Sequence, residues 1–219
     1  MSNYSDHYDA DYFDWQRKIG MFGGKANSFR FQKSIKKSDT VIDFGCGGGF
    51  LLSNLICNKK FGIEPNISCR DQLKLNNIEA YFSPQEMLEA KGSNFADVII
   101  SNNALEHTLN PFLELKALHS LLKKGGVIHF AVPCDSFKLK YKPNNRDYHL
   151  YSWSPMNIGN LFNEAGFKVY KANLAKLQRW PPFYKKLQKL FGWKGFFFCC
   201  SVFSILESSW KQIEIIAQK

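Results

Sequence analysis

The residues best suited to holding a ligand lie in Val41-Ile-Asp-Phe-Gly-Cys-Gly-Gly-Gly-Phe50 of this 219-residue chain. An apolar run ends in Asp43, and Gly45, Gly47 and Gly49 follow at alternate positions. Glycine lets the backbone take positive φ and lets a ligand approach the main chain, while a helix opening there offers N–H groups to an anion. The dinucleotide fingerprint G-x-G-x-x-G is only partly met, because Phe50 stands where its third glycine belongs. Glu64, 19 residues after Gly45, is placed to close a second strand, where a carboxylate can accept both hydroxyls of a ribose. Proton transfer has its own candidates. His107 ends Asn103-Ala-Leu-Glu-His, and His149 sits in Asp147-Tyr-His-Leu-Tyr-Ser-Trp-Ser-Pro. Both fall after apolar runs, in loops on the ligand side of an open α/β sheet. Each is a candidate general base, with a structural part in its own loop as the alternative. His129 alternates within an apolar run and reads as packing, while His7 and His119 carry no motif.

A sheet must bring these groups to one edge. Strand-like apolar runs occur at Thr40–Phe44, Phe61–Ile63, Ala80–Phe82, Ala96–Ser101 and Val127–Val132, with helix-length segments between them. That alternation predicts a parallel sheet with right-handed crossovers. Two helices carry clear punctuation. Asn110-Pro111 opens one, Phe112, Leu115, Leu118 and Leu122 form its stripe, and Lys123-Lys124-Gly125 is expected to end it. Ser154-Pro155 opens the other, which buries Ile158, Leu161 and Phe162 and stops at Gly166. Phe167–Leu174 and Ile213–Ala217 bring the strand count to seven. The expected fold is α/β, a Rossmann-like seven-stranded, mostly parallel sheet with helices on both faces. One domain spans 1–219: a helical cap (1–38), a core (39–174), a basic aromatic insertion (175–210) and a last strand (211–219). In the cap, Tyr4, Tyr8, Tyr12, Trp15 and Ile19 form a helical stripe between Asp6, Asp9, Asp11 and Asp14. Gly20, Gly23 and Gly24 are expected to break that helix before a second, basic one. The cap reads as packed on the core, with a lid over a pocket as the sharper alternative.

Four segments in order give the chain a family resemblance: Val-Ile-Asp-Phe-Gly-Cys-Gly-Gly-Gly, Gly-Ile-Glu-Pro-Asn, Phe-Ala-Asp-Val-Ile-Ile-Ser-Asn-Asn-Ala-Leu-Glu-His and Leu-Lys-Lys-Gly-Gly-Val-Ile. Over roughly residues 39–170 the chain resembles the class I S-adenosylmethionine-dependent methyltransferases, in particular their small-molecule and glycan-modifying branch. The resemblance implies S-adenosyl-L-methionine as cofactor. Asp43, Gly45, Gly47 and Gly49 would line its methionine and ribose portion, Glu64 would hold the ribose, and Pro65 and Asn66 would sit nearby. Ser83 to Glu86 would flank the adenine, although the acid that many relatives place first there is missing. Asn102 and Asn103 would face the methyl-donor end. The Asn/Asp-Pro-Pro-Tyr of amino methyltransferases acting on bases is replaced by Ser101-Asn102-Asn103-Ala104, which argues against that class. Cys134, after Pro133, lies near where RNA cytosine enzymes keep a nucleophile, but a lone cysteine is more often a small apolar residue. What remains is methylation of an oxygen on a glycan, a lipid-linked intermediate or another small metabolite. An RNA methyltransferase and a non-catalytic cofactor-binding module are the alternatives. Arg146 to Trp153 resembles the substrate loop of methyltransferases associated with cell-surface polysaccharide and lipid-linked pathways.

Composition narrows the partners. Lys and Arg number 29 against 19 Asp and Glu, a net charge of +10 that favours phosphate-bearing or anionic partners. Six of these cations and no acid lie between Ala175 and Lys194. Phe183, Leu187, Leu190 and Phe191 can share one helix face there, with Lys185, Lys186 and Lys189 elsewhere. Such a helix suits an anionic surface, and equally a place on its own domain. The partners expected are therefore a small-molecule or glycan acceptor and a peripheral contact with anionic membrane through 175–206, and no nucleic acid. The longest mostly apolar run, Gly195–Leu206, has 12 residues where a membrane span needs about 20. The six cysteines form no Cys-x-x-Cys pair, so neither a disulfide framework nor a metal site is expected. Without the basic and apolar blocks of a signal peptide, the expected compartment is the cytoplasm.

Overall fold

The computed structural model describes residues 10–135, 140–143, 145, 147–175, 180–206 and 210–219. Tyr4, Asp6, His7, Tyr8 and Asp9 of the expected cap, Arg146, and Lys176 and Arg179 of the basic insertion lie outside the described residues. The strands are β1 (Thr40–Phe44), β2 (Lys59–Ile63), β3 (Glu79–Tyr81), β4 (Ala96–Asn102), β5 (Leu122–Asp135), β6 (Lys168–Leu174) and β7 (Trp210–Gln218). They form one seven-stranded sheet in the order β3-β2-β1-β4-β5-β7-β6. The first five run parallel, and β7 is antiparallel to both its neighbours. The order reverses between β1 and β4, and that switch point is where an open α/β sheet binds its ligand.

Helices cover both faces, which explains why β1 is apolar without alternation: all five of its residues are buried. On one face Ile42, Phe44, Ile99 and Phe130 pack under helices α5 (Pro111–Leu121) and α6 (Pro155–Glu164), through Leu115, Leu118, Ile158 and Phe162. On the other, Val41, Val98 and Ile100 meet α1 (Ala10–Phe31), α2 (Phe50–Ser53) and α3 (Arg70–Leu75), through Phe31, Leu52 and Leu73. Each fully buried side chain of this kind contributes about 1.5–3 kcal/mol. Helix α4 (Pro84–Lys91) follows β3, capped by Ser83.

The helix punctuation acts as its residue types require. Asn110 accepts from the Leu113 amide, and Ser154 and Asn157 form a reciprocal capping box. The end of α5 differs from expectation. The helix stops at Leu121, because Leu122 already pairs with Ala96 and Lys123 meets Asp97 at 2.7 Å. Lys123-Lys124-Gly125 thus belongs to β5.

The glycines of α1 do not break it. A Cβ at Gly24 would lie 2.3 Å from the Phe50 carbonyl oxygen, and one at Gly20 would lie 2.5 Å from the Phe50 ring. They are the contact face by which α1 lies directly on the start of α2, and a short 3₁₀ turn at Gln32–Ser34 replaces the second helix. Ile19 is accordingly exposed, while Phe13 and Phe31 are buried.

The insertion is helical, as expected, in one long stretch. Helix α7 spans Tyr184–Leu206 with a kink at Gly192 (φ 63°). By length and composition it is long and apolar enough to cross a membrane, because the residues before the kink extend the 12-residue run seen in the sequence. Of the two places its stripe could take, the side before the kink is not packed on the domain: Phe183, Leu190 and Phe191 are exposed, and Phe196 and Cys200 are buried against α1.

Gly24→Val is expected to lower unfolding stability by about 1–3 kcal/mol through overpacking. Gly159→Ala in α6, where a Cβ meets nothing closer than 3.9 Å, is expected to raise it by about 0.4–1 kcal/mol. Urea unfolding of both variants checks the contrast.

Candidate functional site

The turn after β1 is built for close approach. Gly45, Gly47 and Gly49 have φ of 74°, 52° and 75°, a conformation that favours glycine. A Cβ at Gly45 would lie 2.2 Å from the Ala104 Cβ, so a side chain there would collide with the loop after β4. Gly45 and Cys46 donate to the Ile63 carbonyl, which lays the turn across the end of β2. Glu64 fixes it: its carboxylate accepts from the Gly47 amide at 2.7 Å and the Asn66 amide at 2.8 Å. Burial pushes the Glu64 carboxyl up, and those N–H groups oppose the shift. Asp43 is pushed further, by burial first and by the charge of Glu64 second.

Among the described residues, Asp43 Oδ1 and Asn102 Oδ1 are buried acceptors without a hydrogen-bond partner. A buried acceptor without a donor is costly, so a ligand bearing N–H or O–H groups fits here. S-adenosylmethionine carries both, in its ammonium and ribose. Glu64 uses two acceptor positions on protein amides and keeps capacity for hydroxyls.

Two cavities meet at this point. One, of about 560 Å³, runs past Glu64, Pro65, Asn66, Phe82, Ser83 and Pro84. Pro65, Asn66 and Ser83, expected beside the ribose and adenine, line this cavity. The second, of about 340 Å³, runs beneath α1 past Asp43, Asn102, His149 and Trp180. Gln16, Gly45, Asn103 and His107 line both.

The two histidines are brought together at the junction, their ring centroids 5.1 Å apart. Asp135 orients His149 through Nδ1 at 3.0 Å. Tyr148, at φ 43°, turns the chain just before that ring. Leu150 and Tyr151 donate their amides to the Glu106 carbonyl, docking the loop after β5 on the loop after β4. Burial would lower the His149 pKa, but the Asp135 hydrogen bond and the charges of Glu106, Asp135 and Asp147 raise it overall. Beneath the rings Glu106 is fully buried, with Oε1 3.7 Å from His107 Nε2, and burial pushes its carboxyl up to about 8. Donor atoms of Glu106, His107 and His149 all lie within 4.8 Å of one another. A cation there would have to displace the proton that burial keeps on Glu106.

Asn103 takes φ 55° and donates its amide to Ala131. Its side-chain oxygen accepts from Gln212 at 2.8 Å, and Gln212 accepts from Arg30 at 3.0 Å. His129 does more than pack: it is bonded to Ser34 and to Glu214 at 2.9 and 3.0 Å. Cys134 lines neither cavity, and burial pushes its thiol up, away from the nucleophilic thiolate. Glu106, Gln16, Trp180 and Gln212 join the site without being candidates in the sequence. Only Glu106 carried a signal, as the neighbour of His107 in one motif.

A parallel sheet with an antiparallel β7 between β5 and β6, and a glycine turn closed by a buried Glu, define a Rossmann-like ligand-binding domain. Residues 24–172 match the family model described as "Methyltransferase domain". The chain belongs to that family and has the fold of the S-adenosylmethionine-dependent methyltransferases. The ubiquinone biosynthesis O-methyltransferase of Acinetobacter baylyi is 26% identical over 151 residues, 59% of this chain and 63% of that protein. The chain thus spans less than two thirds of that relative. An S-adenosylmethionine-dependent methyltransferase from Archaeoglobus fulgidus superposes with a TM-score of 0.67 at 17% identity, covering 95% of this chain and 99% of its own. Coclaurine N-methyltransferase, solved with N-methylheliamine and S-adenosylhomocysteine, superposes with a TM-score of 0.58 at 15% identity, covering 86% and 68%.

Glu106 makes stability depend on pH. The folded chain holds its proton up to about 8, whereas an unfolded glutamate releases it near ~4.3. Between those values the folded state binds the extra proton, so stability falls as pH rises, by about 1.4 kcal/mol per unit from this group. Glu106→Gln is expected to remove that slope in urea unfolding at pH 6 and pH 7.5; an unchanged slope would refute the assignment.

Proposed function

We propose that the protein transfers a methyl group from S-adenosylmethionine to an oxygen of a small acceptor, with glycans and lipid-linked intermediates as the classes to search. The observation that carries this reading is the meeting of two cavities at Gly45, Asn103 and His107, with an imidazole pair at the junction. One cavity fits the donor and the other the acceptor. Several curated relatives are named ubiquinone biosynthesis O-methyltransferases, which supports oxygen as the acceptor atom.

When bound, S-adenosylmethionine supplies an electrophilic methyl group on a sulfonium. The residues that would hold it are Asp43, the glycine turn, Glu64, Pro65, Asn66, Asn102 and Asn103. The chain's own contribution is then orientation in a site shielded by α1, since an in-line displacement gains chiefly from proximity. A hydroxyl acceptor must also lose a proton. With Nδ1–H of His149 directed at Asp135, Nε2 is the basic nitrogen, and a base fixed by a third group is the arrangement general-base catalysis uses. His107 lies beside it as a second imidazole on the acceptor path.

The test is to incubate the protein with methyl-labelled S-adenosylmethionine and a cell extract split into lipid-linked glycan, nucleotide-sugar, other small-metabolite and RNA fractions. Label in a sugar or metabolite fraction is expected. Label in RNA, or none despite donor binding, would overturn the proposal in favour of a nucleic-acid enzyme or a binding module. His149→Ala is expected to lower kcat by roughly 10²–10⁴-fold with donor affinity unchanged. Gly47→Val, whose Cβ falls 2.6 Å from the Gln16 side chain at positive φ, is expected to abolish donor binding by calorimetry.

A further inference from the structure

Helix α7 carries two stripes of opposite fate. Trp193, Phe196, Phe197 and Cys200 lie on its packed side; Trp193 and Phe196 are 5.3 and 5.4 Å from the ring of Phe22, and Phe197 is 5.3 Å from that of Phe29. Facing away from α1 are Phe198, Val202, Ile205 and Leu206, at 70%, 44%, 80% and 80% exposure. Phe183, Leu190 and Phe191 extend the exposed apolar surface before the kink, with 74%, 74% and 59% exposure. An apolar strip of this kind marks a contact surface rather than an ordinary solvated face.

Charge selects the partner. Lys185, Lys186, Lys189 and Lys194 are exposed along the same helix, and no acidic residue occurs between Ala175 and Leu206. A second copy of this chain would bring the same lysines to the same strip and set like charges together. An anionic lipid surface instead offers headgroups to the lysines and acyl chains to the aromatic and aliphatic side chains, with the lysine stems reaching between them. One stripe committed to α1, the break at Gly192 and Lys194 in the middle of the helix favour lying in the interface over crossing it.

We propose that the exposed face of α7 docks the protein on an anionic bilayer and thereby places the mouth of the cavity beneath α1 at the membrane surface. The link between the two is Trp180. It lines that cavity and packs on Phe22 of α1 and Tyr184 of α7, with centroids 5.1 and 4.9 Å apart. Treating that cavity as the acceptor's rests on the function proposed above, whereas the docking does not.

Sedimentation of the full chain with vesicles tests it, using phosphatidylcholine alone and phosphatidylcholine mixed with phosphatidylglycerol. Binding to the anionic vesicles only, weakened by salt, is expected. The triple variant Lys185→Gln, Lys186→Gln, Lys189→Gln should bind at least roughly tenfold more weakly. Phe198→Asp with Ile205→Asp should also weaken binding, while the melting temperature and donor affinity stay unchanged. If the double variant fails to fold, the lysine variant and the comparison of lipids decide. Equal or absent sedimentation with both vesicles overturns the proposal. So does a dimer in light scattering that Phe198→Asp dissociates, which would assign the strip to a second copy. Lysine-dependent binding indifferent to the apolar substitutions overturns it as well, since the apolar strip would then have no part in the contact. A protein that binds vesicles yet transfers no methyl group would sink the proposed function and leave the docking intact.

Discussion

The carboxylate of Glu64 is the interaction on which the site depends. It is buried at the wall of the first cavity, and the Gly47 and Asn66 amides hold it there, each through a bond shorter than 2.9 Å. The Gly47 bond joins the end of β2 to the turn after β1, and the Asn66 bond fixes the carboxylate within its own loop. Asp43 then stands in the field of a second buried carboxylate with one oxygen unmatched. The electrostatic cost of that arrangement is offset when a cationic or hydroxyl-bearing ligand enters. The glycine turn is thus a preorganised cradle, and its shape persists through contacts internal to the protein.

The other half of the site is assembled from distant parts of the chain. Asn103 is reached by Gln212 from β7, and Gln212 by Arg30 from α1. The loop carrying His149 is anchored on the Glu106 carbonyl and on Asp135 at the end of β5. The glycine face of α1 presses on Phe50 and roofs the second cavity. A substitution in the N-terminal helix therefore acts on the same geometry as one in the last strand, although neither element carries the glycine motif.

Local chemistry was the legible part. The β1 turn, Glu64 and the two capped helices announce themselves because glycine, a buried acid and Asn-Pro or Ser-Pro act through contacts within a few residues. The placing of His107 and His149 in loops on the ligand side follows from the same motifs, whereas the strand order and the contact between the two rings come from the structure. What the sequence concealed depends on packing between distant segments. Gly20, Gly23 and Gly24 look like helix breakers until the partners they approach are known, Phe50 for Gly20 and Gly24 and Trp180 for Gly23. Lys123-Lys124-Gly125 looks like a helix end until its pairing with β4 is seen. Gln16, Trp180 and Gln212 have ordinary neighbours in the chain and acquire their place only through tertiary contact. The apolar stripe of α7 could be divided into packed and exposed sides only with α1 in view.

The sheet order carries a consequence for synthesis. β6 lies at the edge, and its one sheet neighbour is β7, which is made after the whole of α7. As the chain leaves the ribosome, β1 to β5 can pair in sequence, each beside a strand already made. β6 emerges with no strand to join, and β5 keeps an open edge in the interval. Both are closed in one event when β7 slides between them, and that event also delivers Gln212 to Asn103. Completion of the sheet and completion of the site are then the same late step, with an apolar helix waiting alongside. A nascent chain of this design is exposed to aggregation and to chaperone capture during that interval.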